Sequence, residues 1–225
     1  MFLGFCLMER TWEKDDLFLR DVDIFVERIT KDTNVYVKDQ LSQLRDKLAD
    51  LHDKALVKIN HSIMELLCAK FLIMQGYTVD IEHAIEGNLT CDVYGVKGDG
   101  DFIVEAETGF VPPEHALDPV TYCKARIASK ISRYSNYATK FSIGTLPYYI
   151  LYVPELFHKP PRFRNKEELQ EVKNLCDLYY TKPPVGLDEI INARLHSIWI
   201  INLDQATIKE IDPMTYATSI VYWNY

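Results

Sequence analysis

Between residues 37 and 55 apolar positions recur at spacings of four and three: Val37, Leu41, Leu44, Leu48, Leu51 and Ala55. Charges fill most of the positions between them. That spacing lays one apolar stripe along one face of a helix, and the first sixty residues read as helical. The stripe has two readings, a long helix packed on its own domain or an arm that dimerises. A different helix follows over residues 61–77. Ile63, Met64, Leu66, Leu67, Cys68, Phe71, Leu72, Ile73 and Met74 surround nearly its whole circumference, so it is expected to be buried on most sides. Gly76 suits its C-terminal stop. Lys70 can carry its charge outward on a long stem. Glu65, in the middle, cannot do so well and calls for an interior partner.

The pattern then changes. Residues 77–85, 89–96 and 101–107 read as strands, separated by turn residues at 86–88 and by Lys97-Gly98-Asp99-Gly100, a strong hairpin signal. Three strands in succession predict an antiparallel meander. Residues 109–119 form a proline-bearing loop, and 120–141 a helix. The continuous apolar run 148–154 predicts a central strand. Residues 165–180 are amphipathic and helical, with Asn165 as N-cap and Glu168 three residues on. A second buried strand is expected at 197–204 and an edge strand at 217–225. The order α–β–β–β–α–β–α–β gives an α/β fold, a mixed central sheet flanked by helices. An N-terminal helical region (1–60) precedes an α/β domain (61–225).

Composition narrows the class. The 225 residues suffice for one sizeable core, and 48% hydrophobic with 26% charged is ordinary for a soluble globular protein. A net charge of −8 argues against holding nucleic acid by bulk charge. It leaves room for a local basic face, or for an acidic site that recruits cations. The opening Met1–Met8 is apolar but has no basic flank or small-residue cleavage site, so it reads as a core-packing segment rather than a signal peptide. Nothing approaches the ~18–20 apolar residues of a membrane span; a soluble, cytoplasmic protein is expected. The cysteines, Cys6, Cys68, Cys91, Cys123 and Cys176, are odd in number and widely spaced, with no C-x-x-C. They read as small buried hydrophobes rather than disulfide, zinc or iron–sulfur ligands.

The candidate chemistry lies in Phe102–Phe110, "FIVEAETGF". Glu105 and Glu107 alternate along a strand and so share a face. Two like charges so close cost energy unless a cation lies between them or one is protonated. If the second hairpin pairs about its middle, between residues 98 and 99, Asp92 falls opposite Glu105, roughly 5 Å away. Glu65 would come from the helix behind. Three or four carboxylates on one spot are what Mg²⁺ or Mn²⁺ requires.

Glu65, Asp92 and Glu105-Ala106-Glu107, on helix, strand and strand, resemble the PD-(D/E)xK nuclease superfamily. The resemblance covers residues 61–154 and implies a restriction-endonuclease-like αβββαβ core. It further implies an Mg²⁺- (or Mn²⁺-) dependent deoxyribonuclease. Asp92, Glu105, the Ala106 carbonyl and Glu107 would hold the metal, and Glu65 would orient a metal-bound water. Glu107 stands where the family has lysine, as in some active type II restriction enzymes. In other members the lysine comes from the next helix, where Lys124 and Lys130 are available. Cys91 precedes Asp92 in place of proline. On that helix Arg126, Lys130, Arg133, Tyr137 and Lys140 fall on one face. With Lys124, they offer phosphate contacts to DNA, or else form a solvated basic face. Glu65, Asp92, Glu105, Glu107 and Lys130 are thus the expected catalytic set. A homodimer is allowed by the leucine stripe. A nuclease-like fold kept for binding or assembly, and a nuclease acting on RNA, stay open. A glycosidase is disfavoured, because acids two apart on one strand do not flank a cleft ~5–9.5 Å wide. Glu82, His83, Glu114 and His115 lack comparable context, although His115 could border the site.

Overall fold

Asn34 starts a helix by accepting the Val37 N–H on its side-chain oxygen at 3.0 Å. This helix, α2 (Val35–Asp53), follows α1 (Lys14–Thr30) and precedes α3 (Ile59–Met74) in a computed structural model that describes residues 14–87 and 89–221. Val37, Leu41, Leu44 and Leu48 are buried. They share one core with Phe18, Val22, Phe25 and Ile29 of α1 and with most of α3. The leucine stripe is therefore covered within the chain. The Met1–Met8 segment and Cys6 lie outside the described residues; Cys68, Cys91, Cys123 and Cys176 are free and buried.

Six strands form one mixed sheet in the order β1-β2-β3-β4-β5-β6: β1 Thr78–Ala84, β2 Thr90–Lys97, β3 Gly100–Glu107, β4 Lys140–Thr145, β5 Ser197–Asn202 and β6 Thr207–Ile211. The first three make the expected antiparallel meander, with Val93 facing Val104 and Lys97 facing Gly100. β3, β4 and β5 are parallel, and β6 returns antiparallel on the far edge. The first three helices cover one face of the sheet, with Val93, Val104 and Trp199 in their core. On the other face α4 (Pro119–Tyr134), α5 (Lys166–Asp177) and α6 (Leu187–Asn192) pack over Ile103, Phe141, Ile143 and Ile198. Alternation along β3 sends Phe102, Val104 and Ala106 to the first core and Ile103 to the second. Asn165 caps α5 in the expected box with Glu168.

Three expected elements differ. The run 148–154 is not a strand; it is a loop between Pro147 and Pro154, apolar because Leu151 and Val153 fill the second core. The fourth strand is instead 140–145, so the helix expected over 120–141 stops at Tyr134. Ser142, Gly144 and Thr145 disguised this strand, yet all of β4 beyond Lys140 is buried. The Ser142 hydroxyl is satisfied by the Ser197 hydroxyl at 2.6 Å. The edge strand expected at 217–225 is also absent over its described part. Residues 213–221 form α7, whose first N–H groups, of Met214 and Thr215, donate to the Asp212 carboxylate. The edge is β6, whose Ile208 and Ile211, one toward each core, are only half covered. No helix among the described residues is long and apolar enough to cross a membrane.

Candidate functional site

The ladder between β2 and β3 runs to Val93 and Val104, and beyond that pair side chains replace it. The Asp92 N–H donates to Glu105 Oε1 at 3.1 Å, and the Ala106 N–H donates to Asp92 Oδ2 at 2.6 Å. Both carboxylates are thus fixed by backbone donors at the point where the strands part, and both are buried. Lys130 reaches the same point from α4. Its Nζ lies 2.8 Å from the Ala106 carbonyl oxygen, 3.1 Å from Glu105 Oε2 and 3.5 Å from Asp92 Oδ2. Burial works against the ammonium, but the Asp92, Glu105 and Glu107 carboxylates outweigh it and hold its pKa above the ordinary lysine value.

From α3, Glu65 enters fully buried. Its Oε1 meets His61 Nδ1 at 2.8 Å, one helical turn back, while Oε2 is buried with no partner. His61 Nε2 lies 3.0 Å from the Ala106 carbonyl. With an acceptor on each ring nitrogen, the imidazole is held as the doubly protonated cation. Burial opposes that charge, yet Asp92 and Glu65 raise His61 to about 9. Glu82 completes the group from β1. It sits opposite Asp92 in the hairpin, where the ladder between Ile81–Val93 and His83–Cys91 is interrupted, and its φ is +44°. A positive φ is strained for a residue with a side chain. One ligand atom each from His61, Glu65, Glu82 and Asp92 lie within 4.8 Å of one another.

The charges do not balance. Four carboxylates, of Glu65, Glu82, Asp92 and Glu105, face two cations, Lys130 and His61. Burial first, then their neighbours' charges, raises Glu82 to about 7 and Glu105 to about 8, and raises Glu65 as well. Without a further cation, these acids hold on to protons. A surplus of buried negative charge, hard oxygen donors and the unpartnered Glu65 Oε2 together fit a divalent cation.

Sequence comparison adds nothing to that geometry: no family model matches the chain, and no curated protein does. Among solved structures, the CdiA-CT/CdiI toxin and immunity complex from Burkholderia pseudomallei is similar over 68% of this chain and 86% of the matched chain. Identity there is 18% and the TM-score 0.29, a likeness too distant to bear on this site.

The remaining residues singled out from the sequence are placed differently. Glu107 turns from the cluster: its Oε1 accepts the Gly109 N–H at 2.9 Å and Arg126 Nη2 at 2.7 Å. The basic face of the fourth helix is not a free surface. Arg126 is held by Glu107 and the Phe110 carbonyl, and Arg133 by the Pro183 carbonyl. Lys124 lines a hollow with Glu155, Glu168 and Glu171. Tyr137 is in a 3₁₀ turn, and Lys140 opens β4 at the end of the sheet away from Glu105. His115 stacks on Tyr122, 4.1 Å between ring centres. Sequence reasoning missed His61 and set Glu82 aside. Both had a signal: His61 is four residues from Glu65 on one helix face, and a first hairpin centred on Gly87 puts Glu82 across from Asp92.

Proposed function

We propose that this chain is a metal-dependent nuclease that hydrolyses phosphodiester bonds in DNA, with Mg²⁺ or Mn²⁺ as its cofactor. The observation that carries this reading is Lys130 against the Ala106 carbonyl, Glu105 and Asp92. It supports the reading that a lysine from the following helix would stand in for the one the nuclease pattern lacks at Glu107. Asp92, Glu65 and Glu82 would hold the ion with Glu105 beside it, and His61 would join them only after giving up a proton. A divalent ion there would supply Lewis acidity and a more acidic bound water. Lys130 Nζ is placed to stabilise negative charge developing on a phosphate oxygen. Glu105, oriented by the Asp92 N–H and by Lys130, would be the carboxylate beside the ion that takes a proton. Glu107 acts indirectly, fixing Arg126 and the loop after β3.

The test is cleavage of end-labelled single-stranded, duplex and branched DNA, and of RNA, in Mg²⁺, Mn²⁺ or EDTA. The expected result is metal-dependent cutting of DNA that Asp92→Asn and Glu105→Gln abolish, with a rise in melting temperature on adding Mn²⁺. Cutting of RNA alone would move the substrate. Folded wild type that cuts nothing and shows no thermal response to metal would refute the enzyme. A second reading, a nuclease-like fold that binds without cutting, draws on Lys130 and His61 already lying among the carboxylates.

A further inference from the structure

Toward the other end of β4 from the acidic cluster lies a cavity of about 350 Å³, bordered by His196. The His196 N–H donates to the Phe141 carbonyl at 2.9 Å, and its Nδ1 accepts the Phe141 N–H at 3.0 Å. Phe141 stands level with Ile103, whereas Glu105 and Glu107 lie further along the parallel pair. In a chain of net charge −8, this cavity is basic: Lys159, Arg164 and Arg194 line it against one carboxylate, of Asp212. Asp212 Oδ1 is taken up by the Met214 and Thr215 N–H groups, and Lys159 is paired with Glu168. The two arginines are left without an ion pair among the described residues. Arg164 is fixed in place. Its Nε lies 3.1 and 3.2 Å from the Leu156 and Lys159 carbonyl oxygens, and its Nη1 2.9 and 3.1 Å from those of Ile190 and Ile191. Its Nη2 and the whole Arg194 guanidinium have no hydrogen-bond partner among the described residues. Burial first, then the Arg194 charge, lower Arg164 to about 10. Two imidazoles complete the wall. Because His196 Nδ1 is an acceptor, its neutral ring carries the proton on Nε2, as a donor. His158 has a buried Nε2 with no partner.

We propose that this cavity is a binding site for a phosphate monoester, with Arg164 and Arg194 holding the phosphate and His196 donating to it. The site is separate from the acidic cluster and stands whether or not that cluster cuts nucleic acid. Two guanidinium groups that share a cavity without an acid repel each other, and an anion between them relieves the repulsion. Arginine forks match the oxygens of carboxylate and phosphate alike. The number of donors favours phosphate. A carboxylate has one charge and two oxygens, whereas a phosphate monoester has about 1.5 to 2 charges near neutral pH and three terminal oxygens. Phe157, Leu195 and Met214 supply apolar wall beside the cations, which suits an organic body on the phosphate rather than the bare ion. Such a group comes either on a free nucleotide or at the phosphorylated end of a strand.

The test is calorimetric titration and thermal melting of the full chain in EDTA. The probes are inorganic phosphate, adenosine 5′-monophosphate, adenosine, and one short oligonucleotide with and without a 5′-phosphate. Adenosine 5′-monophosphate or the phosphorylated strand is expected to bind at least about tenfold tighter than its counterpart without the monoester, and the tighter of the two identifies the source. Arg194→Gln should weaken that binding by about tenfold or more. Arg194 is exposed, so this variant should fold. Without ligand it should melt no lower than wild type, because a repulsion has been removed. With the monoester present, only wild type should gain melting temperature. Asp92→Asn should bind the monoester as wild type does, which separates this site from the acidic cluster. Equal binding of adenosine and its monophosphate, a melting shift that chloride reproduces at the same ionic strength, or undiminished binding by Arg194→Gln would overturn the proposal. Loss of monoester binding in Asp92→Asn with Arg194→Gln unaffected would overturn it too, and would move the phosphate to the acidic cluster.

Discussion

The Lys130 ammonium donates to the Ala106 carbonyl oxygen at 2.8 Å, joining α4 to the end of β3. The same Nζ is the nearest cation to Glu105 and stands beside Asp92. Lys130→Met would leave buried carboxylates without their counter-charge. Removing one partner of a buried pair costs about 3–5 kcal/mol, and about 3 is expected here because the side chain keeps some exposure. Cleavage should fall by about 10²-fold or more. Lys130→Arg should not restore it, since a planar fork cannot take the place of a compact ammonium. Urea unfolding and single-turnover cleavage read the two effects separately. Full stability and activity in Lys130→Met would remove the lysine from the site.

Glu107 and Arg126 form a second, separate unit. Because the Glu107 carboxylate accepts from Arg126 and Gly109, its loss should act on the loop rather than on the chemistry. Glu107→Gln is expected to cost about 1–2 kcal/mol through the weakened charged hydrogen bond. Cleavage should stay within about tenfold of wild type, against its abolition in Asp92→Asn, since the substituted group is not among those aimed at the charge that develops in the reaction. Equal inactivity of the two variants would put Glu107 among the catalytic groups.

Asp101 at the start of β3 offers a pH test remote from the acidic cluster. Its Oδ1 accepts the Thr139 N–H at 2.6 Å and the Thr139 hydroxyl at 2.7 Å, and its Oδ2 accepts the Tyr94 hydroxyl. Burial opposes ionisation, but these donors outweigh it and hold the carboxyl below its ordinary value. A depressed acid binds fewer protons folded than unfolded. Its stabilisation is therefore present above the unfolded pKa, ~3.9, and is lost as pH falls through the folded value. Asp101→Asn should cost about 1 kcal/mol at neutral pH, at the low end because the carboxylate is only half-buried. The gap to wild type should close on acidification; a gap of constant size down to the acid limit would show that ionisation of Asp101 contributes nothing.

The part of the site built on local rules was legible. Hairpin register alone set Asp92 against Glu105, because Gly98 and Gly100 confine the turn and a one-residue slip would turn Val93 and Val104 out of the core. The same rule, extended to Gly87, reaches Glu82. What was not legible was how each charge is spent. Helical spacing put Arg126, Lys130 and Arg133 on one face, but it is silent on Glu107, Glu105 and the Pro183 carbonyl waiting opposite them. Burial without hydrophobicity also escaped notice: Ser142 and Ser197 satisfy each other in the core, and Gly144 is small because something large lies above it.

That last contact makes a prediction about the sheet. A Cβ on Gly144 would stand 2.5 Å from Ile201 Cδ1, and Ile201 is fully buried on β5. Real Cβ atoms do not approach so closely, and the dense interior leaves Ile201 little room to move. Gly144→Ala should therefore destabilise by about 1–3 kcal/mol, the usual cost of overpacking, despite the gain expected from replacing glycine in a strand. Ile201→Val removes the clashing methyl and alone should cost about 1 kcal/mol. The double variant should be more stable than Gly144→Ala alone, and the two costs should fail to add. Strict additivity in the unfolding free energies would mean that Gly144 is required for some reason other than Ile201.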